Sequence, residues 1–264
     1  KSVDVRLPLQ RLVCVTGVSG SGKSTLIQDV LYKGLCKLKG IPVEMPGAHK
    51  AISGDEKIDA VVSVDQSPIG KTTRSNPASY VGAWNAIREL FAAEPEAKQR
   101  GYKAGTFSFN SGTGRCPTCG GNGFEHVEMQ FLSDVYLRCP DCDGSRYRPE
   151  VLEITLDGKS VADVLGMTVN EALDFFGGHA TVQAVLEPLA AVGLDYLALG
   201  QPVPTLSGGE AQRLKLAGHL ARAGKKKSAA STLFLFDEPT TGLHFDDIRK
   251  LLAAFRRLLD EGHS

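Results

Sequence analysis

The sequence lacks long hydrophobic runs, a surplus of either charge and the composition of a disordered chain. Its longest apolar runs, such as 233–236, have the length of a strand, whereas a membrane-spanning helix needs about 18 or more apolar residues. Thirty Lys and Arg balance 30 Asp and Glu, which argues against wholesale wrapping by nucleic acid or by an anionic membrane. With 42% hydrophobic and 23% charged residues over 264 positions, neither a disordered tail nor a fibrous repeat fits. Since no secretory leader pattern is present, we expect a soluble cytoplasmic protein with at most a local basic face.

The placement of the cysteines argues against a disulfide framework. Four of the six cysteines form two Cys-x-x-Cys pairs, Cys116/Cys119 and Cys139/Cys142. Four thiolates at this spacing are typical of a structural zinc site, whereas disulfides would need an oxidising compartment and a redox pair would not be duplicated. The first pair also fits a chaperone-type zinc knuckle, which the second does not complete. Cys14 lies in an apolar run, so we expect it to be a small buried hydrophobe.

Patterns typical of strands alternate with patterns typical of helices, which predicts an α/β fold. Strands are expected at 11–16, 58–64, 152–156 and 232–236, and helices at 23–38, 79–93, 181–192, 207–223 and 248–259. The capping boxes Thr168-x-x-Glu171 and Ser207-x-x-Glu210 mark two helix starts. Glycines crowd residues 101–123 just before the paired cysteines, so we expect an inserted module at about 101–150 whose core is a metal.

Residues 17–24 match the phosphate-loop pattern G-x-x-x-x-G-K-[ST], between a predicted strand and a predicted helix. Glycines let the backbone fold around phosphate oxygens, while Lys23 would reach the outer phosphates and Ser24 would bind magnesium. The alternative, a plain glycine turn with a stray lysine, is disfavoured by the flanking strand and helix. The nucleotide-binding residues predicted in this loop are Gly17, Ser19, Gly20, Ser21, Gly22, Lys23, Ser24 and Thr25.

Two carboxylates follow the predicted strand 232–236. Asp237 could hold magnesium, and Glu238 could polarise an attacking water as the catalytic base. Strands often end in acidic residues simply because they meet solvent there, so the phosphate loop upstream is what favours a site. Gln66, just past another strand, could reach the magnesium or the water, although a lone glutamine is usually polar surface.

The stretch 206–213 contains a second potential anion site at a helix start. Ser207 caps the helix, and Gly208 and Gly209 leave its first N–H groups uncovered. An ordinary capped helix would explain Ser207 and Glu210 but not paired glycines, which cost helix stability. Together with the phosphate loop and the strand-end residues, this stretch resembles the ABC-type ATPases. That resemblance implies a dimer or tandem, in which Ser207, Gly208 and Gly209 cover the γ-phosphate held by another nucleotide domain.

The cysteine pairs narrow the resemblance, because an ABC-type ATPase with a zinc module between phosphate loop and signature is similar to the UvrA family of bacterial nucleotide excision repair. Strings that agree with this family run through nearly the whole chain, at 17–25, 65–70, 74–77, 107–110, 127–132, 206–213 and 237–244. Their forms resemble the second, C-terminal nucleotide domain, which implies that the first nucleotide domain and its UvrB-binding region lie outside this sequence.

The resemblance implies a P-loop ABC-type ATPase core with a helical signature subdomain and an inserted zinc-binding module. The expected divisions are 1–78 for the first part of the core, 79–205 for the signature subdomain with its zinc module, 206–230 for the signature helix and loop, and 231–264 for the second part of the core. Family members continue into a strand that bears a switch histidine. We expect this strand to lie beyond Ser264, since His244 and His263 precede its position.

The resemblance also implies ATP hydrolysis coupled to recognition of damaged DNA, within the excinuclease system and the SOS response. The implied cofactors are ATP, Mg²⁺ and Zn²⁺. The implied partners are damaged duplex, the N-terminal nucleotide-binding half, a second copy and a UvrB-type repair protein, with no membrane.

DNA contacts are less well specified. Lys71, Arg74 and Arg88 flank the Gln-Ser-Pro turn and are our candidates, while the lysines at 225–227 fit a solvated loop equally well. The stretch 125–136 could form a hairpin that probes distorted DNA, or a purely structural one. Alternative functions are a UvrA-like paralogue in drug self-resistance, a nucleotide-binding subunit of another ABC system, and a non-catalytic binding module.

Overall fold

The computed structural model describes residues 3–70, 72–127, 135–223 and 231–264. Lys71, the lysines at 225–227 and residues 128–134 of the expected hairpin lie outside the described residues. The chain divides into two compact units, Lys1–Gln66 with Arg222–Ser264, and Ser67–Ala221, here called unit 1 and unit 2. In the described ranges, every helix is too short or too polar to span a bilayer.

Helices and strands are mixed, as predicted. The α-helices are α1 Lys33–Leu38, α2 Pro77–Val81, α3 Ala83–Ala93, α4 Pro95–Gln99, α5 Pro149–Leu152, α6 Val161–Gly166, α7 Val169–Phe175, α8 Ala180–Ala191, α9 Gly208–Ala223 and α10 Phe245–Asp260. A π-helical segment, Thr25–Tyr32, leads into α1, and 3-10 turns lie at Asp55–Lys57 and Val203–Thr205. The strands are β1 Ala60–Val64, β2 Phe124–Val127, β3 Val135–Arg138, β4 Thr155–Leu156, β5 Lys159–Ser160 and β6 Thr232–Phe236.

Unit 1 is built on a parallel pair of strands. β1 and β6 run side by side with Val64 opposite Phe236, and β1 packs on the helical segment that precedes α1. The core beneath contains Leu35, Cys36, Ile58, Val61 and Leu235. On the other strand, Phe236 packs against Phe255 of α10 with ring centres 4.5 Å apart and the ring planes tilted by 45°. The parallel pair matters for function because both strands end at the same edge.

The predicted strand at 11–16 is wrong, and so is the burial expected for Cys14. Residues 12–18 have no regular secondary structure, and Leu12, Val13 and Cys14 are exposed. An apolar run becomes a strand only where a neighbouring strand accepts its backbone hydrogen bonds. Among the described residues of unit 1, β1 and β6 pair with each other and leave this run unpaired.

The described part of unit 2 contains helices α2–α8, most of α9 and two hairpins. β2 and β3 are antiparallel, which confirms that the stretch between the cysteine pairs carries a hairpin stem, and β4 pairs with β5 around Asp157 and Gly158. The strand predicted from residue 152 is shorter than expected, because Pro149 starts the helix α5, which extends to Leu152. Likewise, the helix predicted at 79–93 starts earlier and is interrupted at Gly82, which has a φ of 86°.

Candidate nucleotide and metal sites

The phosphate-loop residues form an exposed turn closed by their own lysine. The Lys23 Nζ atom donates to the carbonyl oxygens of Gly17 and Val18 at 2.9 and 3.0 Å. Gly20 and Gly22 have φ values of 76° and 90°, which side-chain-bearing residues rarely adopt. The helical stretch begins immediately afterwards, with the N–H of Leu26 bonded to Gly22. The ammonium and the helix start therefore lie at one turn, an arrangement suited to an anion.

The strand-end residues meet at one edge of the unit 1 sheet. Because Val64 is opposite Phe236, the residues that follow, Asp65-Gln66 and Asp237-Glu238, leave the sheet side by side. The backbone N–H of Asp237 lies 3.4 Å from the carbonyl oxygen of Val64. Carboxylate and amide oxygens at the carboxyl end of parallel strands are placed to serve a ligand at that edge.

Glu238 has a backbone that few side chains tolerate. Its φ is 42°, in the left-handed region, and the turn is closed by a hydrogen bond from the N–H of Thr241 to its carbonyl. The hydroxyl of Thr241 also donates to Glu238 Oε2 at 3.3 Å. Strained backbone of this kind often accompanies a functional side chain.

The signature helix α9 begins with the predicted capping box. The Ser207 N–H and hydroxyl both donate to Glu210 Oε2, at 2.8 and 2.9 Å, and the Glu210 N–H donates to Ser207 Oγ. Burial alone would raise the pKa of Glu210, but hydrogen bonds from Tyr196 and Ser207 outweigh it and lower that pKa. The box thus keeps a carboxylate charged in the first turn of the helix. The Thr168 box of α7 is confirmed in the same way.

The four paired cysteines come together in unit 2. Their sulfur atoms all lie within 4.8 Å of one another, and Cys119 Sγ is 3.7 Å from Cys142 Sγ. A tetrahedral zinc with Zn–S bonds of about 2.3 Å separates its sulfurs by about 3.8 Å, whereas a disulfide would bring them to about 2.0 Å. The cysteines are free thiols, and those of Cys116 and Cys139 are buried. The cluster therefore fits a single tetrahedral metal.

The protein environment acts differently on individual thiols. Burial raises the pKa of Cys142 to about 12. Burial would also raise the pKa of Cys116, but hydrogen bonds from the backbone N–H groups of Cys119 and Thr118 outweigh it and lower that pKa. The N–H of Gly123 likewise points at Cys119 Sγ, at 3.2 Å. Such N–H groups stabilise thiolates, the form in which cysteine binds metal.

Arg146 anchors the cysteine module within unit 2. Its side chain is 1% exposed, with the guanidinium over the rings of Phe109 and Phe124, and it donates to the Gly200 carbonyl at 3.0 Å. Burial lowers its pKa to about 10, so it stays charged at neutral pH. Its backbone carbonyl also accepts from the N–H of Cys116. Arg146 is therefore a structural brace rather than an exposed phosphate contact.

The described DNA candidates are engaged inside unit 2. Arg74 is half-buried and its Nε donates to Asn122 Oδ1 at 2.8 Å. Arg88 donates to Asn85 Oδ1 at 2.5 Å and to the Ala104 carbonyl at 3.4 Å. Both guanidinium groups thus support neighbouring loops, and their role toward DNA stays a prediction.

Three residues that contact these sites were not predicted as part of them. Thr241 could have been found, because a hydroxyl three residues after the candidate base can close a turn on it. Tyr196 and Arg146 bind residues 14 and 54 positions away, and no local pattern signals such pairs.

Comparison with known proteins finds relatives that match this chain along its whole length, although no protein-family model matches it. UvrABC system protein A of Thermus thermophilus is 54% identical over 264 residues, and that of Micrococcus luteus is 54% identical over 265. The Clostridium tetani protein of the same name is 52% identical over 264 residues. Each match covers 100% of this chain but only 27%, 26% and 28% of the respective relative, so the chain spans about a quarter of their length.

A solved structure shows the same similarity. The crystal structure of UvrA2 from Deinococcus radiodurans superposes with a TM-score of 0.86 at 47% sequence identity, covering 98% of this chain and 31% of that one. High identity and a shared fold thus extend along the chain, including the cysteine module and the signature helix. The chain is therefore similar over its full length to about a quarter of the UvrABC system protein A relatives, and 98% of it superposes on UvrA2.

Proposed function

We propose that the chain is the second ABC-type ATPase domain of a UvrA-like protein and that it couples ATP binding and hydrolysis to the engagement of damaged DNA. The observation that carries this proposal is the identity of 52–54% with UvrABC system protein A along the whole chain. The geometry of the phosphate loop and of the strand edge agrees with it. Unit 1 then corresponds to the ATP-binding core, and unit 2 to the signature subdomain with its zinc module.

In this proposal, the phosphate loop binds the ATP phosphates through its backbone N–H groups and through Lys23. Bound nucleotide would replace the Gly17 and Val18 carbonyls as the partner of the Lys23 ammonium. Ser24 and Asp237 would hold magnesium, which offsets the charge of the phosphates when bound. Phosphoryl transfer depends mainly on positioning and electrostatics, so these contacts both bind and orient the nucleotide.

Glu238 is the proposed base for the attacking water, with Gln66 as the residue that orients water or metal. Both follow adjacent parallel strands that end at the same sheet edge, so we expect both side chains to serve a water bound at that edge. The Thr241 hydroxyl holds one carboxylate oxygen of Glu238. Ser207, Gly208 and Gly209 would complete the composite site of another nucleotide-binding unit, either the N-terminal half or a second copy.

The cysteine module is proposed to bind one structural zinc and to present the β2–β3 hairpin toward DNA. Its thiols fit the sulfur spacing of a zinc tetrahedron. Damaged duplex and a UvrB-type repair protein are the proposed partners. The alternatives, a drug-resistance paralogue or a subunit of another ABC system, are not favoured, because the curated relatives cited above share one repair-system name.

Two substitutions in the intact protein test the ATPase proposal. Lys23→Ala should weaken ATP binding, because it removes a phosphate contact. Glu238→Gln should keep ATP binding but slow hydrolysis by about 100-fold or more, since only the group that activates water is lost. Nucleotide titration and steady-state turnover separate the two defects. Turnover by Glu238→Gln equal to that of the unmodified protein would contradict the assignment of the base.

DNA engagement needs its own measurement. We expect the intact protein to bind lesion-containing duplex more tightly than undamaged duplex of the same sequence at a stated salt concentration. Substitution of Arg74 by Gln should weaken both kinds of binding if that residue contacts phosphate. The conservative Arg74→Lys variant, which keeps the charge, is the control. Equal affinity for both duplexes would argue for a binding role unrelated to damage.

A further inference from the structure

A chain of hydrogen bonds in unit 2 ends on the hydroxyl of Ser207. Arg213, on the buried side of α9, donates to the Gly193 carbonyl at 2.9 Å and to the Tyr196 hydroxyl at 3.3 Å. That hydroxyl donates to Glu210 Oε1 at 2.7 Å. The other oxygen of Glu210 accepts both bonds from Ser207. Both carboxylate oxygens are therefore engaged, from two different segments of the chain.

The capping box at Thr168, which also uses a glutamate, shows that a box of this geometry does not require a tyrosine. In the Thr168 box, Glu171 Oε2 accepts at 2.8 and 2.9 Å, and the Glu171 N–H donates at 3.2 Å. The corresponding distances in the Ser207 box are 2.8, 2.9 and 3.3 Å. Among the residues that the structure describes, however, only Thr168 donates to Glu171. The box geometry thus forms without a tyrosine.

The two helices differ in their first turns, which explains why one box needs support. Helix α7 begins with Val169 and Asn170, whereas α9 begins with Gly208 and Gly209. Glycine costs about 1 kcal/mol relative to alanine inside a helix, so the first turn of α9 holds its cap less firmly. Glycines at these positions leave the first N–H groups of the helix open to an approaching anion. A brace from outside the helix offsets this weakness.

We propose that Tyr196 is a positioning residue, which fixes Glu210 and thereby the rotamer of Ser207 for contact with the γ-phosphate of a partner site. Arg213 fixes the tyrosine in turn. The hydrogen bonds from Tyr196 and Ser207 also partly offset the negative charge of Glu210, which reduces its repulsion of an incoming phosphate. Tyr196 is 53% exposed, so its ring is not a core residue and its hydroxyl is what the brace uses. This inference rests on the proposed ATPase function.

The test is Tyr196→Phe in the intact protein, which removes one oxygen and keeps the ring. Loss of a hydrogen bond to a charged group corresponds to about a tenfold change in an equilibrium or rate constant. If this bond positions Ser207 in the transition state, kcat for ATP hydrolysis should fall about tenfold. The affinity for ATP should be unchanged, since the phosphate loop of unit 1 is untouched. In a Glu210→Gln background, Tyr196→Phe should have a much smaller effect, because the two side chains act as one unit.

Ser160→Ala is the matched control, because it breaks another capping box, whose bonds join Ser160 and Asp163, and weakens a helix start without touching Ser207. It should lower the melting temperature and leave kcat unchanged. If kcat is unchanged in Tyr196→Phe, or falls equally in Ser160→Ala, the positioning role is refuted. Glu238→Gln separates this failure from that of the proposed function. If Glu238→Gln stops hydrolysis while Tyr196→Phe does not slow it, only the inference about Tyr196 fails.

Discussion

Two adjacent glycines after Cys119 give a sharp test of how the cysteine module is packed. Gly120 and Gly121 both have positive φ, 59° and 88°, and both stand between the first cysteine pair and the β2–β3 hairpin. A Cβ atom at Gly120 would meet only the Arg74 side-chain end, at 3.5 Å. A Cβ atom at Gly121 would lie 2.2 Å from the carbonyl oxygen of Phe109. Both alanine variants therefore strain the backbone, but only Gly121→Ala also clashes with a neighbouring main-chain atom.

The shared cost is the left-handed backbone, about 1–2 kcal/mol for a residue with a Cβ atom. Gly121→Ala must in addition displace the backbone of Phe109, whose ring is buried 5.5 Å from that of Trp84 and lies under the Arg146 guanidinium. A substitution that both strains the backbone and displaces core residues can lower the free energy of unfolding by about 4 kcal/mol or more. We therefore expect Gly121→Ala to cost about 2–3 kcal/mol more than Gly120→Ala.

Thermal unfolding of the zinc-loaded protein measures this difference. Trp84 is the single tryptophan, and its contact with Phe109 makes its fluorescence a local reporter of the module. At about 2–4 °C per kcal/mol, Gly121→Ala should melt about 4–12 °C below Gly120→Ala and release zinc faster to a chelator. Gly166→Ala, where the added methyl meets open space, is the control. Equal melting temperatures for the two adjacent variants would refute the described packing.

Two further predictions follow from the cluster and the signature cap. Purified protein should contain one zinc per chain by elemental analysis. Cys139→Ser should lose the zinc and shift the fluorescence emission of Trp84. A metal content near zero in folded, reduced protein would contradict the zinc assignment. The folded-state pKa of Glu210 is lowered, so its stabilising effect is present above its unfolded pKa of about 4.3 and is lost as the pH falls through the folded value. Denaturant midpoints of the unmodified protein and Tyr196→Phe should therefore differ at pH 7 and converge in acid, whereas a constant difference at all pH values would count against the bond to Glu210.

Features that depend on neighbours in sequence were predictable. The box at Thr168 and that at Ser207 join residues three apart, so their hydrogen bonds are set by the local helix start. The cysteine spacing likewise predicted a cluster, because each pair occupies one tight knuckle. Strand 232–236 also has the predicted bounds. Since apolar runs bounded by turn residues carry their own signal, its existence needed no tertiary information.

The errors arose where burial depends on distant partners. The run around Cys14 is apolar like β6, yet among the described residues only β6 has a strand beside it, so β6 is paired and Cys14 is exposed. Arg146 is a charged residue four positions after Cys142, yet it is buried against Phe109 and donates to the Gly200 carbonyl. Nothing local to either residue distinguishes the two outcomes.

The sequence by itself identified the candidate chemical groups of the chain: a phosphate-loop pattern, two cysteine pairs, a capped helix start and paired carboxylates. It did so because each of these motifs is a short stretch that residue type and spacing define. Only the tertiary structure decided which strand ends share an edge and which side chains brace the sites. Register between β1 and β6, the brace of Tyr196 on Glu210 and the burial of Arg146 all join residues far apart in the chain. Such contacts form only when folding brings separate apolar faces together, so no single stretch of sequence encodes them.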